Sequence, residues 1–284
     1  MVAVLGGIGA ALCFAGATLC NSRASRLLDS GSLLAWVMLV GMVIVGPLVL
    51  VEGVPDDLSG GSIGWLAICG AGNVGGLLCS YAALRAGMVG LVAPIISTEG
   101  AIAALLAIIA GEPLTAAAGA ALAVIALGVA LAGASPSDPE KPARRAGEPQ
   151  VVLLASAAAI AFGASLYATG RVGSDVPVVW ALLPPRLIGV VAIAAPLILA
   201  GRLRLTRRAL PFAVASGCCE VVGVVSFVLG AREGIAVTSV VASQFAAIAA
   251  VVAYVLFHER LARIQMAGVV TVLIGVAALS GLQA

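Results

Sequence analysis

Charged side chains are scarce in this chain. They make up 10% of its 284 residues, where an ordinary soluble domain carries about 25%. A water-soluble fold of this composition has too few polar groups to cover its surface. Histidine is scarcer still: His258 is the only one. It sits beside Glu259 at an expected helix end and reads as an interfacial residue rather than a metal ligand. No metal-ligand spacing, no Ser-His arrangement and no sizeable loop outside the apolar runs is present, so the usual machinery of hydrolases and metalloenzymes is missing. A phosphate loop of the ATPase type is also lacking, which excludes direct ATP hydrolysis by this chain.

Other signals are present but empty. Gly70-Ala71-Gly72-Asn73-Val74-Gly75 spells GxGxxG, yet no strand precedes it and no acidic residue follows at about 20 positions, so a dinucleotide site does not fit. Glycine in an apolar run lets helices approach instead. The net charge of +2 is scattered over short loops and gives nucleic acid no footing. Six cysteines (Cys13, Cys20, Cys69, Cys79, Cys218, Cys219) all lie in apolar segments and read as small buried hydrophobes. No cofactor or metal is expected. The first apolar run has no basic region before it, so it reads as a retained helix and not a cleaved signal peptide.

What the chain has in abundance is hydrophobic length. Hydrophobic residues make up 62% and the mean hydropathy is +1.19. Runs of about 20 apolar residues, each long enough for a hydrocarbon core of roughly 30 Å, recur from end to end. Ten spans are predicted, at 2–20, 33–51, 63–84, 88–110, 113–133, 151–169, 178–200, 209–230, 235–257 and 264–282. They must be helices, because lipid offers no partner to an open strand edge. Arg85-Ala86-Gly87 and Gly111-Glu112-Pro113 are such short links that the spans they join must be antiparallel neighbours. Residues 135–150 differ: rich in proline and charge, they read as a flexible linker between two five-helix halves, 1–134 and 151–284.

The halves repeat one another. In one ungapped register Arg85-Ala86-Gly87 falls on Arg232-Glu233-Gly234, Glu112 on Glu259, and Gly128-Val129-Ala130 on Gly275-Val276-Ala277. One residue further out of register, Phe14 meets Phe162 and Arg23 meets Arg171. An odd number of spans per half sends the second half through the membrane in the opposite sense. The expected fold is therefore all-α and integral to the membrane, ten helices in two inverted repeats with a site near the midplane between them.

At this point the chain resembles the EamA-type members of the drug/metabolite transporter superfamily. The residues that carry the resemblance are Gly111-Glu112-Pro113-Leu114 and His258-Glu259-Arg260-Leu261, each between a fourth and a fifth helix and each followed by an apolar helix with a Gly-Val-Ala near its end. An arginine early in the second helix of a repeat is also common in the family; Arg186 fits, while the matching region of the first half has Val37. The resemblance implies a ten-helix carrier with a central cavity, commonly an exporter of metabolites, amino acids or drugs.

Charges at mid-span carry the most information about a site. Glu99, Glu220 and Arg186 lie in the fourth, eighth and seventh spans, and each costs about 2.5–3.5 kcal/mol at that depth unless sheltered. Unpaired, the three would cost on the order of 8–10 kcal/mol, as much as a whole domain's stability. They must face one another or a wet cavity. In the repeat register Asn73 aligns with Glu220, Gly76 with Gly223, and Ser97 with Gln244. The candidate solute- or ion-binding set is thus Glu99, Glu220, Arg186, Asn73, Ser97 and Gln244. A site with both signs of charge suits an amino-acid-like or cationic amphipathic solute. If Arg186 neutralises one carboxylate, the other is left to take a proton or a cationic group.

Glu112 and Glu259 read chiefly as helix-start acids. The fifth and tenth spans have few polar residues and face lipid or a second copy of the chain, as in a homodimer. Apart from Arg171, Arg186 and Arg232, all fifteen Lys and Arg fall in odd-numbered loops. That bias puts both termini outside, whereas the family resemblance implies termini inside. The competing functions are an integral membrane enzyme acting on lipid, and a channel or scaffold that transports nothing.

Overall fold

The computed structural model describes residues 1–25, 27–55, 58–86, 95–133, 148–245 and 247–248, with isolated positions between 252 and 278. Pro94, His258, Glu259, nearly all of the linker and most of the tenth expected span lie outside the described residues. Among those described there is no strand. The helices are α1 (Val2–Ala24), α2 (Ser30–Glu52), α3 (Gly60–Ala86), α4 (Glu99–Ile109), α5 (Ala116–Gly133), α6 (Glu148–Asp175), α7 (Val178–Leu199), α8 (Leu210–Ala231) and α9 (Ile235–Ala242). Stretches of α1, α2, α3, α6, α7 and α8 are long and apolar enough to cross a membrane; α4 and α5 are shorter apolar helices. These helices follow the first nine expected spans in order.

Local chemistry sets the helix ends. The Asp29 carboxylate accepts a hydrogen bond of 2.9 Å from the Ser32 backbone N–H and caps α2, satisfying one of its orphan donors. Partial burial disfavours the charged form of Asp29, but the hydrogen bonds from Ser32 and the Arg204 guanidinium outweigh it, and the carboxyl lies below its ordinary value. Its stabilising effect is therefore full above the unfolded carboxylate range, near pH ~4, and is lost as pH falls through the lower folded value. At the other end of α2, Gly53 has φ +79°, and Gly201, just beyond α7, has φ +63°. Both stop a helix in the left-handed region that side chains avoid.

Three irregularities interrupt the spans. Pro184 and Pro185 sit inside the first helical stretch of α7 without breaking it. The disturbance falls later, where Val190–Ala194 is π-helical and the Ala195 N–H reaches back to the Val190 carbonyl, just ahead of Pro196, which has no N–H to give. The other two are turns at 97–98, before α4, and at 243–244, after α9. There Thr98 N–H donates to Ile95 O at 3.2 Å and Gln244 N–H to Val241 O at 3.2 Å, both one residue short of helical spacing. Hydroxyls reinforce each turn: Thr98 Oγ1 donates to Ile95 O at 2.7 Å and Ser243 Oγ to Val240 O at 2.8 Å. Side-chain competition for helix carbonyls favours such breaks.

The helices pack across the chain rather than along it. α1 packs chiefly on α8 and α9, α3 on α6 and α7, α2 on α7 and α8, and α4 on α6 and α9. Small residues make this possible. A Cβ at Gly76 would meet the Phe162 ring at 2.6 Å, and one at Gly223 would meet the Phe14 ring at 2.6 Å. Gly70 lies against Pro184 and Ile188, and Gly217 against Val37 and Val40. The GxGxxG run is thus a helix-contact surface. Outward faces carry exposed apolar side chains such as Leu5, Val43, Leu127 and Ile160, as a lipid-facing surface requires.

Glu112 ties distant parts of the chain together. Its carboxylate accepts from the backbone N–H of Ile235 at 3.1 Å and of Ala236 at 3.1 and 3.3 Å, so it caps α9 from the link between α4 and α5. The structural reading of this acid holds, although the helix it serves is a distant one. Glu112→Ala should lower stability by about 1–2 kcal/mol, the usual cost of losing a cap, while Glu112→Gln, which keeps one acceptor, should lose less. Thermal unfolding of the two variants in one detergent checks the order.

Candidate functional site

Buried polar groups gather in two places, one on α3, α7 and α8 and the other where α4 packs on α9. Arg186 projects from α7 and is 1% exposed. Its Nη2 lies 3.9 Å from Glu220 Oε2 on α8, and its Nη1 donates a long 3.5 Å hydrogen bond to the Leu182 carbonyl. The guanidinium stem is held by backbone: a Cβ at Gly41 of α2 would lie 3.0 Å from Arg186 Cγ and Nε. In the same way Met38 of α2 fills the space over Gly189 of α7. Met38 of α2 thus stands to Gly189 of α7 as Arg186 of α7 stands to Gly41 of α2.

The ion pair is sealed but poorly satisfied. At 3.9 Å Arg186 and Glu220 attract without a hydrogen bond, and Arg186 Nη2 has no hydrogen-bond partner among the described residues. The same is true of Asn73 Oδ1 and Tyr81 Oη on α3, and of Ser216 Oγ one turn before Glu220. Tyr81 is the aromatic member of this set. It follows Asn73 by two helical turns, so the two share a face of α3. Buried polar atoms nearly always find partners. The row of orphans beside a charged pair is what marks this place as the candidate site.

A second polar group sits at the two broken helices. Glu99, the first residue of α4, is 8% exposed and makes no hydrogen bond or ion pair among the described residues. Glu99 therefore does not join the Arg186–Glu220 pair. Its neighbour Gly100 abuts α9 so closely that a Cβ there would come 2.5 Å from the Ser239 carbonyl and 2.6 Å from Ser243. Gln244 is 4% exposed; its Nε2 donates to Val240 O at 3.0 Å, while its Oε1 and the Ser239 Oγ are buried without partners. Ser97, 3% exposed, lies in the turn before α4.

Sequence reasoning thus named six residues that are all buried or half-buried at mid-span, in two groups rather than one. It missed Tyr81, Ser216 as an orphan, Ser239 and Met38. Tyr81 was signalled by its spacing from Asn73; the others carry no charge and leave little mark in an apolar sequence.

Two cavities lie elsewhere. One of about 310 Å³ opens at the end of the bundle, among Glu112, Tyr167, Arg171, Ser174, Arg232 and Glu233, where Arg232 Nε donates to Gly173 O at 2.7 Å. The other, about 320 Å³, is an apolar crevice between α3 and α7 around Leu66, Trp180 and Leu187. Neither includes Arg186 or Glu220.

Residues 1–134 match the model of the EamA-like transporter family, in accord with the resemblance carried by Gly111-Glu112-Pro113-Leu114. No curated protein matches the chain significantly. A solved structure titled "Crystal structure of protein" superposes with a TM-score of 0.80 over 99% of this chain and 96% of that one, at 16% identity; a likeness at that identity bears on the fold alone. With its run of membrane-crossing helices, the chain is a multi-pass membrane protein.

Proposed function

Taking residues 1–134 as an EamA-like transporter unit, we propose that the protein is a secondary transporter exporting small metabolites of amino-acid-like or cationic amphipathic character across the cell membrane. The observation that carries this is the buried Arg186–Glu220 pair with its orphaned neighbours Asn73, Tyr81 and Ser216. A pair presenting both signs of charge suits a solute that carries both: Glu220 receives an ammonium and Arg186 a carboxylate. Asn73, Ser97 and Gln244 supply polar lining, and Glu99 serves the coupling ion.

Alternating access needs two bodies that rock about such a site, and these are residues 1–134 and 151–284, joined by the 135–150 linker. Packing supports an inverted repeat of five plus five helices. The partners of α1 (α8 and α9) correspond, half for half, to the partners of α6 (α3 and α4). Phe14 on Gly223 mirrors Phe162 on Gly76, Arg186 on Gly41 mirrors Met38 on Gly189, and the turns at 97–98 and 243–244 fall within a residue of equivalent places. α5 presents exposed Val124 and Leu127 to lipid or to a second copy of the chain.

Counterflow in liposomes tests the reading. Preloaded amino acids or organic cations should accelerate uptake of the labelled compound, and Glu220→Gln should reduce that exchange at least tenfold. A wild-type protein that shows no exchange stimulation with any compound that stabilises it thermally would be a channel or scaffold instead.

A further inference from the structure

Glu99 and the Arg186–Glu220 pair stand in different electrostatic situations, and the difference assigns them different ligands. Glu220 has a permanent cation 3.9 Å away. Glu99 has none among the described residues, as a search of the elements packed against α4 shows. On α6 the ionisable groups are Glu148, Tyr167, Arg171 and Asp175. Gly163 is the α6 residue that meets the Glu99 backbone, with a Cβ there 3.0 Å from Glu99 O. Tyr167 is one turn further on, stacked edge-on against Trp65, and the charged three lie at the helix ends. On α9 there is no ionisable side chain, only Thr238 and Ser239, followed by Ser243 and Gln244. The flanking stretches 87–94 and 249–257 contain no charged residue either.

Resting on the transporter reading above, we propose that Glu99 is the proton-carrying site of a proton-coupled carrier, separate from the Arg186–Glu220 pair that receives the solute. A carboxylate more than nine-tenths buried with no cation in reach pays a desolvation cost of several kcal/mol if it stays charged. A metal cation would need six or so oxygen ligands around it, and no cluster of potential metal-ligating side chains is found among the described residues. A proton needs only the one carboxylate: it binds an oxygen of Glu99 and leaves from it, and no other bond changes. The broken helices supply the means of release. Ser97, Ser239 and Gln244 at the two turns offer water a polar path to Glu99 when α4 and α9 move apart.

Two measurements on the full-length protein test this. In infrared spectra of the purified protein, the band of a protonated buried carboxyl should titrate with pH in wild type and vanish in Glu99→Gln, while persisting in Arg186→Met. In proteoliposomes supplied with a mixture of labelled amino acids, Glu99→Gln should lose at least tenfold in accumulation driven by a pH gradient, which Gly75→Ala, a change into open space, should keep. An unchanged infrared band in Glu99→Gln, or gradient-driven accumulation that survives it, overturns the proposal and leaves the transporter reading standing. Loss of the band together with no exchange by the wild-type protein overturns the transporter reading and the carrier role of Glu99 with it.

Discussion

Arg186→Met is expected to destabilise the protein by about 3–5 kcal/mol, the cost of leaving one partner of a buried pair without the other. The substitution puts into α7 the residue that α2 carries at the matching place, Met38, over the matching glycine. Volume is thus nearly kept, and what changes is charge. Glu220, 14% exposed, then remains between helices with no cation to answer it. Adding Glu220→Asn completes the copy of the first half, where Met38 stands with Asn73. This double variant should recover most of the lost stability, because a neutral pair asks far less of its surroundings, yet transport should remain absent. Thermal unfolding of the single and double variants measures the coupling, and counterflow measures the function. A double variant no more stable than Arg186→Met would show the two side chains to be energetically independent; one that still exchanges solutes would remove the pair from the binding site.

Gly6→Ala should cost about 1–3 kcal/mol by overpacking, more than any other one-carbon change in α1. The new Cβ would lie 2.6 Å from Gly230 Cα and 2.7 Å from the Ser226 carbonyl. Both are backbone atoms, so no side chain can turn aside, and α1 and α8 must separate. Gly75→Ala is the matched control, since a Cβ there meets nothing within 4 Å. It should leave stability unchanged or raise it by up to about 1 kcal/mol through helix propensity alone. Melting temperatures that fell equally in both would show that these helices tolerate separation and that glycine is present for another reason.

The course of the helices was legible because lipid makes one demand above others, a run of apolar residues of a given length. Such a run says where a helix crosses but not where it stops. α6 was read as 151–169 yet continues to Asp175, since beyond the apolar core nothing forces a helix to end and Arg171, Ser174 and Asp175 suit its polar extension. The turns at 97–98 and 243–244 were hidden for the opposite reason. Serine, threonine and glutamine in an apolar helix satisfy themselves on local carbonyls and barely alter hydropathy, so a break and a continuous helix look alike. The π-helical stretch at Val190–Ala194 is five small apolar residues with no mark of its own.

The site was partly legible for a related reason. A charge at mid-span is so costly that Arg186, Glu220 and Glu99 could be singled out without knowing what surrounds them. Which of them would meet could not be read, because partnership depends on helix rotation and on glycines such as Gly41 that let the Arg186 stem lie flat. Neutral members of the cluster, Tyr81 and Ser239 among them, cost little in sequence terms and acquire meaning only when their oxygens are found without partners.

The packing of α1 bears on how the chain is made. Its main neighbours, α8 and α9, begin only at Leu210 and Ile235, so a growing chain inserts its first helix long before anything exists for that helix to hold. Until the ribosome has finished most of its task, the faces around Gly6 and Phe14 wait in bare lipid or in the keeping of an insertion partner, and chains halted before α8 are natural prey for quality-control proteases.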